Sequence, residues 1–454
     1  MPPVAQREAV TAIRAALLTF SGDPILDGPD VARRYESDAI VAMADGRIVD
    51  CGPAADVVRR LPPGTTVTRY ANALISAGFI DAHVHYPQLP VIGAGGKPLL
   101  DWLTAYTFPA EARFADIGYA REIAARYVDE NLRHGITTAA VFGTVHPQSV
   151  DALFEESERR GLRMIAGKVL MDRNAPAALL DTPKRGYDES KALIARWHGR
   201  DRLAYAITPR FAATSTPEQL EAAAALWHET PDAYLHSHVA ENAAEVQWIA
   251  DLYPAHARYL DVYAHFGLLG RRALYAHGIH LDEADLQRMH DSQTAIAHCP
   301  TSNNFLGSGR FSLHRARDAR RPVHVALATD LGGGTSFSML RTMQAASEVA
   351  QMGGHPLSPS CAWWLATRGA AEALDLGARV GSVDVGRDAD LVVIDLASTP
   401  LIDFRMRYAD SIDEALAVQF ALGDDRAIRA TYIAGQLAWD RDTAARPSAR
   451  SDAR

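Results

Sequence analysis

His83 and His85 lie two apart in the run ISAGFIDAHVHY (75–86), and His236 and His238 repeat that spacing in AYLHSHVAE (233–241). On a strand, residues i and i+2 point to one face, so either pair can chelate a cation or simply line one layer of a barrel. With 17 histidines in the chain, composition alone yields about 0.6 such pairs. The spacing by itself therefore decides little. More weight falls on Glu241, three residues past His238, on His277 in ALYAHGIHL (273–281), and on Asp330, which closes VHVALATD (323–330). Neutral imidazole suits zinc, and three histidines with a carboxylate form a complete ligand set that leaves room for water. Each group also has a plainer reading. Glu241 can be a first-turn acid favouring a helix dipole. His236, one layer deeper than His238, reads as core or as a support for a ligand. Asp330 follows an apolar run, where a buried carboxylate must be paired or metal-bound to avoid a large penalty. Arg210 can be a surface charge, but beside Phe211 at a barrel mouth it reads as a fork for a planar, oxygen-bearing ligand.

The elements that would gather these residues alternate regularly. Helical patterns at 117–134, 148–160, 187–198 and 216–228 precede apolar strands at 136–143, 163–172, 203–211 and 233–241. Helical stretches within 242–266, at 282–291 and near 312–320 precede strands at 273–281, 294–300 and 323–330, and a helix follows at 338–351. With 75–86 as the first strand, the pattern predicts eight strand–helix repeats, and hence a (β/α)8 TIM-type barrel of the α/β class. His83, His85, Arg210, His238, Glu241, His277 and Asp330 then all fall at C-terminal strand ends, where barrel chemistry is placed.

Both chain ends read differently. Short apolar or alternating runs broken by Asp45-Gly46, Gly52-Pro53 and Pro62-Pro63-Gly64 precede the barrel, and GSVDVGRDADLVVIDL and AIRATYIAGQLAWD follow it. The expected organisation is a small β-sandwich domain assembled from 1–72 and 376–440 around a barrel over 73–375, with 441–454 a disordered tail. The chain has 454 residues, 48% of them hydrophobic and 22% charged, enough for a sizeable core. Its net charge of −9, with no basic run, argues against nucleic acid or an anionic membrane as partner. Cys51, Cys299 and Cys361 are too few and too scattered for a disulfide framework, which suggests a reducing compartment. The apolar run Ala15–Phe20 is too short for a signal peptide, and no stretch reaches membrane-spanning length. A soluble, cytoplasmic protein is expected.

At these residues the sequence resembles the amidohydrolase superfamily. The shared segments are SAGFIDAHVHY, with Ser-Ala where proline is common, HVAE, AHGIHL, AHCPTSN and ATDLGGG. HVHYPQ (83–88), LLDWLTAYTFPAEARF (99–114), TPRFAATST (208–216) and CPTSNNFLGSGRF (299–311) are similar to its guanine-deaminating branch. The resemblance covers roughly 70–400 and reaches into the terminal β domain. It implies one zinc per chain held by His83, His85, His238 and Asp330, with His277 either a further ligand or hydrogen-bonded to the metal's water. It further implies Glu241 as proton carrier, assisted by His277 and Asp330, in a site where Gln88, Arg210 and Phe211 orient a purine against His85 and His238. Asn303 and Asn304 read as pocket lining. The family tends to form homodimers, and TFPAE (107–111) falls in a segment that could serve an interface.

The implied reaction is hydrolytic deamination of guanine at C2 to xanthine and ammonia, in purine catabolism. A deaminase of another purine, a pterin or an aminotriazine is the nearer alternative, since such relatives share parts of these segments. A non-catalytic, zinc-stabilised binding protein is the alternative of another class, and Glu241 argues against it, because a binding module needs no proton carrier beside an open metal position.

Overall fold

The computed structural model describes residues 9–443 and shows two β-sheets. One is a seven-stranded mixed sheet drawn from both ends of the chain. Its early strands are β1 (Thr11–Phe20), β2 (Arg33–Ala44), β3 (Arg47–Pro53) and β4 (Thr66–Ala77). The other sheet contains β5 (Phe79–His85), β6 (Ile136–Phe142), β7 (Arg163–Gly167), the short β8 (Val169–Leu170), β9 (Leu203–Pro209), β10 (Tyr234–Val239), β11 (Ala273–His277), β12 (Ala295–His298) and β13 (Val325–Leu327). The chain then returns to the first sheet with β14 (Leu391–Asp395), β15 (Ile428–Ile433) and β16 (Gln436–Asp440).

The terminal sheet runs β16-β15-β14-β4-β1-β2-β3. Its hairpins obey local turn chemistry. Asp45 and Gly46 both take positive φ, 51° and 75°, between paired Ala44 and Arg47, and Ala434 and Gly435 do the same between Ile433 and Gln436. Two consecutive left-handed residues match the twist of the flanking strands. Two helices, Pro400–Met406 and Ile412–Leu422, interrupt this unit between β14 and β15.

The second sheet is all parallel, in the order β13-β12-β11-β10-β9-β7-β6-β5, with β8 beside β9. Every residue of β5, β6, β10 and β11 is buried, as expected where helices cover one face and the barrel interior the other. Ile80, Ile165, Ala206, Leu274 and Ala297 belong to the cluster that fills the interior. The barrel is nearly closed. Asp330 N–H donates to the His83 carbonyl at 2.9 Å, and Thr329 N–H donates to the Asp81 carboxylate at 2.9 Å, tying the segment after β13 to β5. At the opposite end Arg163 pairs with Asp388 at 2.6 Å, joining β7 to the segment that leads into the terminal sheet.

The stretch within 242–266 forms two helices, Ala243–Leu252 and Tyr259–His265, separated at Pro254, which cannot donate the backbone bond a continuous helix needs. Among the described residues no helix is long and apolar enough to cross a membrane. All three cysteines are free. The tail expected over 441–454 lies outside the described residues except for its first three, where Arg441 pairs with Asp395 at 2.7 Å.

Candidate active site

The strand ends bring the expected metal-capable residues together. His83 and His85 come from β5, His238 from β10, His277 from the last position of β11, and Asp330 from just past β13. Nε2 of His83 and of His85 lie 3.4 and 3.7 Å from Asp330 Oδ1, and His277 Nε2 lies 3.7 Å from Oδ2. His83, His238 and His277 offer nitrogens within 4.8 Å of one another. Backbone geometry helps to aim them. Ala240, His277 and Asp330 all have positive φ, 49°, 72° and 47°. Such turns are costly for side-chain-bearing residues and tend to persist where function requires them.

The outer nitrogens reveal what the inner ones present. His238 Nδ1 lies 2.7 Å from the Arg210 carbonyl, which can only accept, so Nδ1 carries the proton and Nε2 a lone pair. His277 Nδ1 is held by Asn303 Oδ1 at 2.8 Å, and His83 Nδ1 by His236 Nε2 at 2.8 Å. Such outer contacts fix the tautomer and ring angle of metal-binding histidines. His83 Nε2 is buried without a hydrogen-bond partner, and His85 Nε2 faces His238 Nε2 at 3.1 Å. Converging imidazole nitrogens beside a carboxylate, with the His238 Nε2 lone pair fixed by the Arg210 carbonyl, fit a divalent cation such as zinc. Asn303 is therefore more than pocket lining, because it orients His277. Cys299 also reaches this cluster, next to His277 and Asp330, but burial pushes its thiol pKa well above the usual value and keeps it protonated.

Charge around the cluster follows from burial and neighbours. Burial holds His83, His85, His236 and His238 neutral by lowering their pKa values. His277 differs. Burial opposes its cation, but Glu241 and Asp330 outweigh that effect and raise its pKa. Asp330, though buried, is held below the usual carboxylate range by His83 and His277. Burial pushes Glu241 up to about 7, against the pull of His277 and with Glu245 and Asp330 adding to the rise. Glu241 Oε2 lies 3.5 Å from His277 Nε2, and Ser308 donates to Oε1 at 3.2 Å. Glu245 fixes the Glu241 backbone by accepting its N–H at 2.8 Å.

A cavity opens onto this cluster. Trp102, Leu103, Phe211 and Leu306 give it apolar walls, and Gln88 and Arg210 give it polar ones. Gly332, with φ +117°, leaves room for Gln88, since a Cβ there would fall 2.1 Å from Gln88 Oε1. The aromatic against the Arg210 guanidinium is Phe108, 5.7 Å from its carbon, while Phe211 meets Trp248 edge-on. Sequence reasoning passed over Glu111, on which both Gln88 and Arg210 converge. The available signal was a single acid in the otherwise apolar stretch TFPAEA, most of it now buried. Thr107, Phe108, Ala110 and Glu111 are buried within this chain, so most of TFPAE packs beside the site.

The amidohydrolase family pattern matches residues 74–438. The guanine deaminase of Escherichia coli K12 is 46% identical over 420 residues, covering 92% of this chain and 95% of that protein. The structure of E. coli guanine deaminase superimposes with a TM-score of 0.92 at 44% identity, over 95% of this chain and all of the other. A guanine deaminase from C. acetobutylicum, solved with guanine in its active site, gives 0.85 at 28% identity, over 94% of this chain and 99% of the other. By likeness extending over nearly its whole length, the chain belongs to the amidohydrolase family, among the guanine deaminases.

Proposed function

We propose that this protein hydrolyses guanine to xanthine and ammonia, with one zinc ion per chain held by His83, His85, His238 and Asp330 and flanked by His277. The observation that carries the proposal is that the His238 lone pair, the His85 and His277 rings, Asp330 and Glu241 share one cavity with the Gln88 and Arg210 wall. Bound zinc lowers the pKa of water toward about 7 and so supplies a nucleophile at neutral pH. The chain's own groups do the rest. Water adds at C2, the carbon bearing the exocyclic amine. Glu241, buried between Ser308 and His277, takes a proton from that water and delivers it to N3, which makes C2 a competent electrophile. It then carries the second proton to the amine, the C2–N bond breaks, and ammonia leaves. A non-ligand glutamate shuttling protons in this way is the established pattern in zinc deaminases. Ser308 and His277 hold the two Glu241 oxygens in place. Arg210, Gln88 and Phe211 orient the purine.

The proposal includes a barrel unit over 73–375 and a unit from 1–72 and 376–440; the two separate sheets support two units, with β4 carrying the terminal sheet on to Ala77 before the barrel begins at Phe79. It also includes a homodimer, purine catabolism and a cytoplasmic setting, the last in accord with three unpaired cysteines. The test is ammonia release by the purified, zinc-loaded protein from guanine, 8-oxoguanine, adenine, cytosine and isoxanthopterin. Guanine is expected to be fastest. Equal rates on adenine or cytosine would leave a metal-dependent deaminase of other specificity.

A further inference from the structure

Glu111 belongs to the segment that crosses the barrel mouth between β5 and the helix Ile117–Arg133, and its side chain is fully buried. Its carboxylate holds two different side chains. Arg210 Nη1 donates to Oε1 at 3.0 Å and to Oε2 at 2.9 Å, while Gln88 Nε2 donates to Oε1 at 3.1 Å. An ionised carboxylate only accepts, so the Gln88 amide is pinned with its nitrogen on Glu111 and its oxygen turned elsewhere. Gln88 Oε1 accepts no hydrogen bond from any described residue, and Arg210 Nε and Nη2 donate none. Both side chains line the cavity beside His238 and Asp330. The residues lining the wall therefore carry one free acceptor, Gln88 Oε1 seated against Gly332, next to guanidinium donors. Its complement is a ring edge on which a carbonyl stands beside an N–H.

A buried guanidinium alone would explain a buried carboxylate as its counter-ion. It would not explain Gln88, which is neutral and needs no counter-ion. Without Glu111, a buried amide can turn by half a rotation and offer Nε2 instead of Oε1. We infer that Glu111 is a positioning residue that sets substrate choice: by pinning the Gln88 amide and the Arg210 guanidinium, it makes the pocket read a carbonyl–N–H edge and refuse a bare ring nitrogen. This inference rests on the reading that a guanine-type purine occupies the cavity.

The experiment compares guanine with 2-aminopurine, which carries the same leaving amine at C2 but has hydrogen at C6 and an unprotonated N1. Wild-type protein should favour guanine by about 10³-fold or more in kcat/KM, because the analogue leaves buried polar groups unpaired. Glu111→Gln should lower kcat/KM on guanine roughly 10- to 100-fold, with 2-aminopurine within about threefold, since the analogue never makes the bonds that Glu111 organises. Zinc content should stay at the wild-type level. Should Glu111→Gln fail to fold, Glu111→Asp, which keeps the charge but withdraws it by one methylene, should show the same one-sided loss in smaller measure. A loss shared equally by the two purines, or no loss on guanine, overturns the inference. Wild-type protein that treats the purines alike removes the guanine reading and this inference with it. A high wild-type ratio that persists in the variants removes this inference alone.

Discussion

The carbonyl oxygen of Arg210 holds His238 Nδ1 at 2.7 Å, while the guanidinium of the same residue reaches Glu111 in the pocket wall. One residue thus touches the histidine cluster through its backbone and the cavity wall through its side chain, and the roles proposed for the two can be tested separately.

Arg210→Gln keeps the carbonyl and leaves an amide that can still donate to Glu111. Zinc content should match wild type, while kcat/KM on guanine falls by about 10²-fold or more and adenine gains nothing. Metal analysis together with ammonia release checks both parts. Loss of zinc, or improved adenine turnover, contradicts the division of roles.

Glu241→Gln tests the proton carrier. Its Oε2 lies 3.5 Å from His277 Nε2, close to the cluster but assigned no metal bond. The variant should retain zinc and bind purine, with turnover reduced by ~10²–10⁴. If zinc is lost instead, Glu241 is a ligand and the roles are wrong.

In the proposed site His236 should bear on metal affinity alone. Its Nε2 meets His83 Nδ1 at 2.8 Å, out of reach of the cavity walls. His236→Leu should surrender zinc to a chelator about 10- to 100-fold more readily, the usual cost of losing an outer contact to a ligand. Unchanged zinc retention would show that His83 is held by packing alone.

Asp285 gives a pH dependence away from the site. At the first turn of the helix Glu283–Ser292 its pKa is pushed up to about 6, by burial first and partly offset by the Asp282 N–H it accepts. The folded value lies above the unfolded one, so the native state binds more protons between about pH 4 and 6, and stability falls as pH rises through that window. Asp285→Asn removes this slope. Its Tm relative to wild type should climb between pH 4 and 7 by on the order of 2 °C. A flat difference contradicts the assignment.

The parts of the site legible in the sequence are those governed by local periodicity. Apolar runs ending in His83-Val84-His85, His238 and Asp330 mark strand ends, and strand ends share one barrel mouth. Arg210 was readable for the same reason. Glu111 was not, because its partner Arg210 lies 99 residues away and no period links them. Asn303 looked like lining, since nothing in CPTSN announces that its carbonyl oxygen meets His277. The left-handed turn at His277 is equally silent in sequence, being imposed by the barrel rather than by residue preference. At the chain ends, turn chemistry at Asp45-Gly46 was plain, whereas the helical pair between β14 and β15 was hidden inside a stretch read as β.

The central claim, that water replaces the C2 amine of guanine at this site, is tested most directly by running the reaction in heavy-oxygen water with zinc-loaded protein and analysing the product by mass spectrometry. The account predicts xanthine carrying one labelled oxygen at C2 and one ammonia released for each guanine consumed. Unlabelled product, or guanine left intact by fully metallated protein, would contradict it.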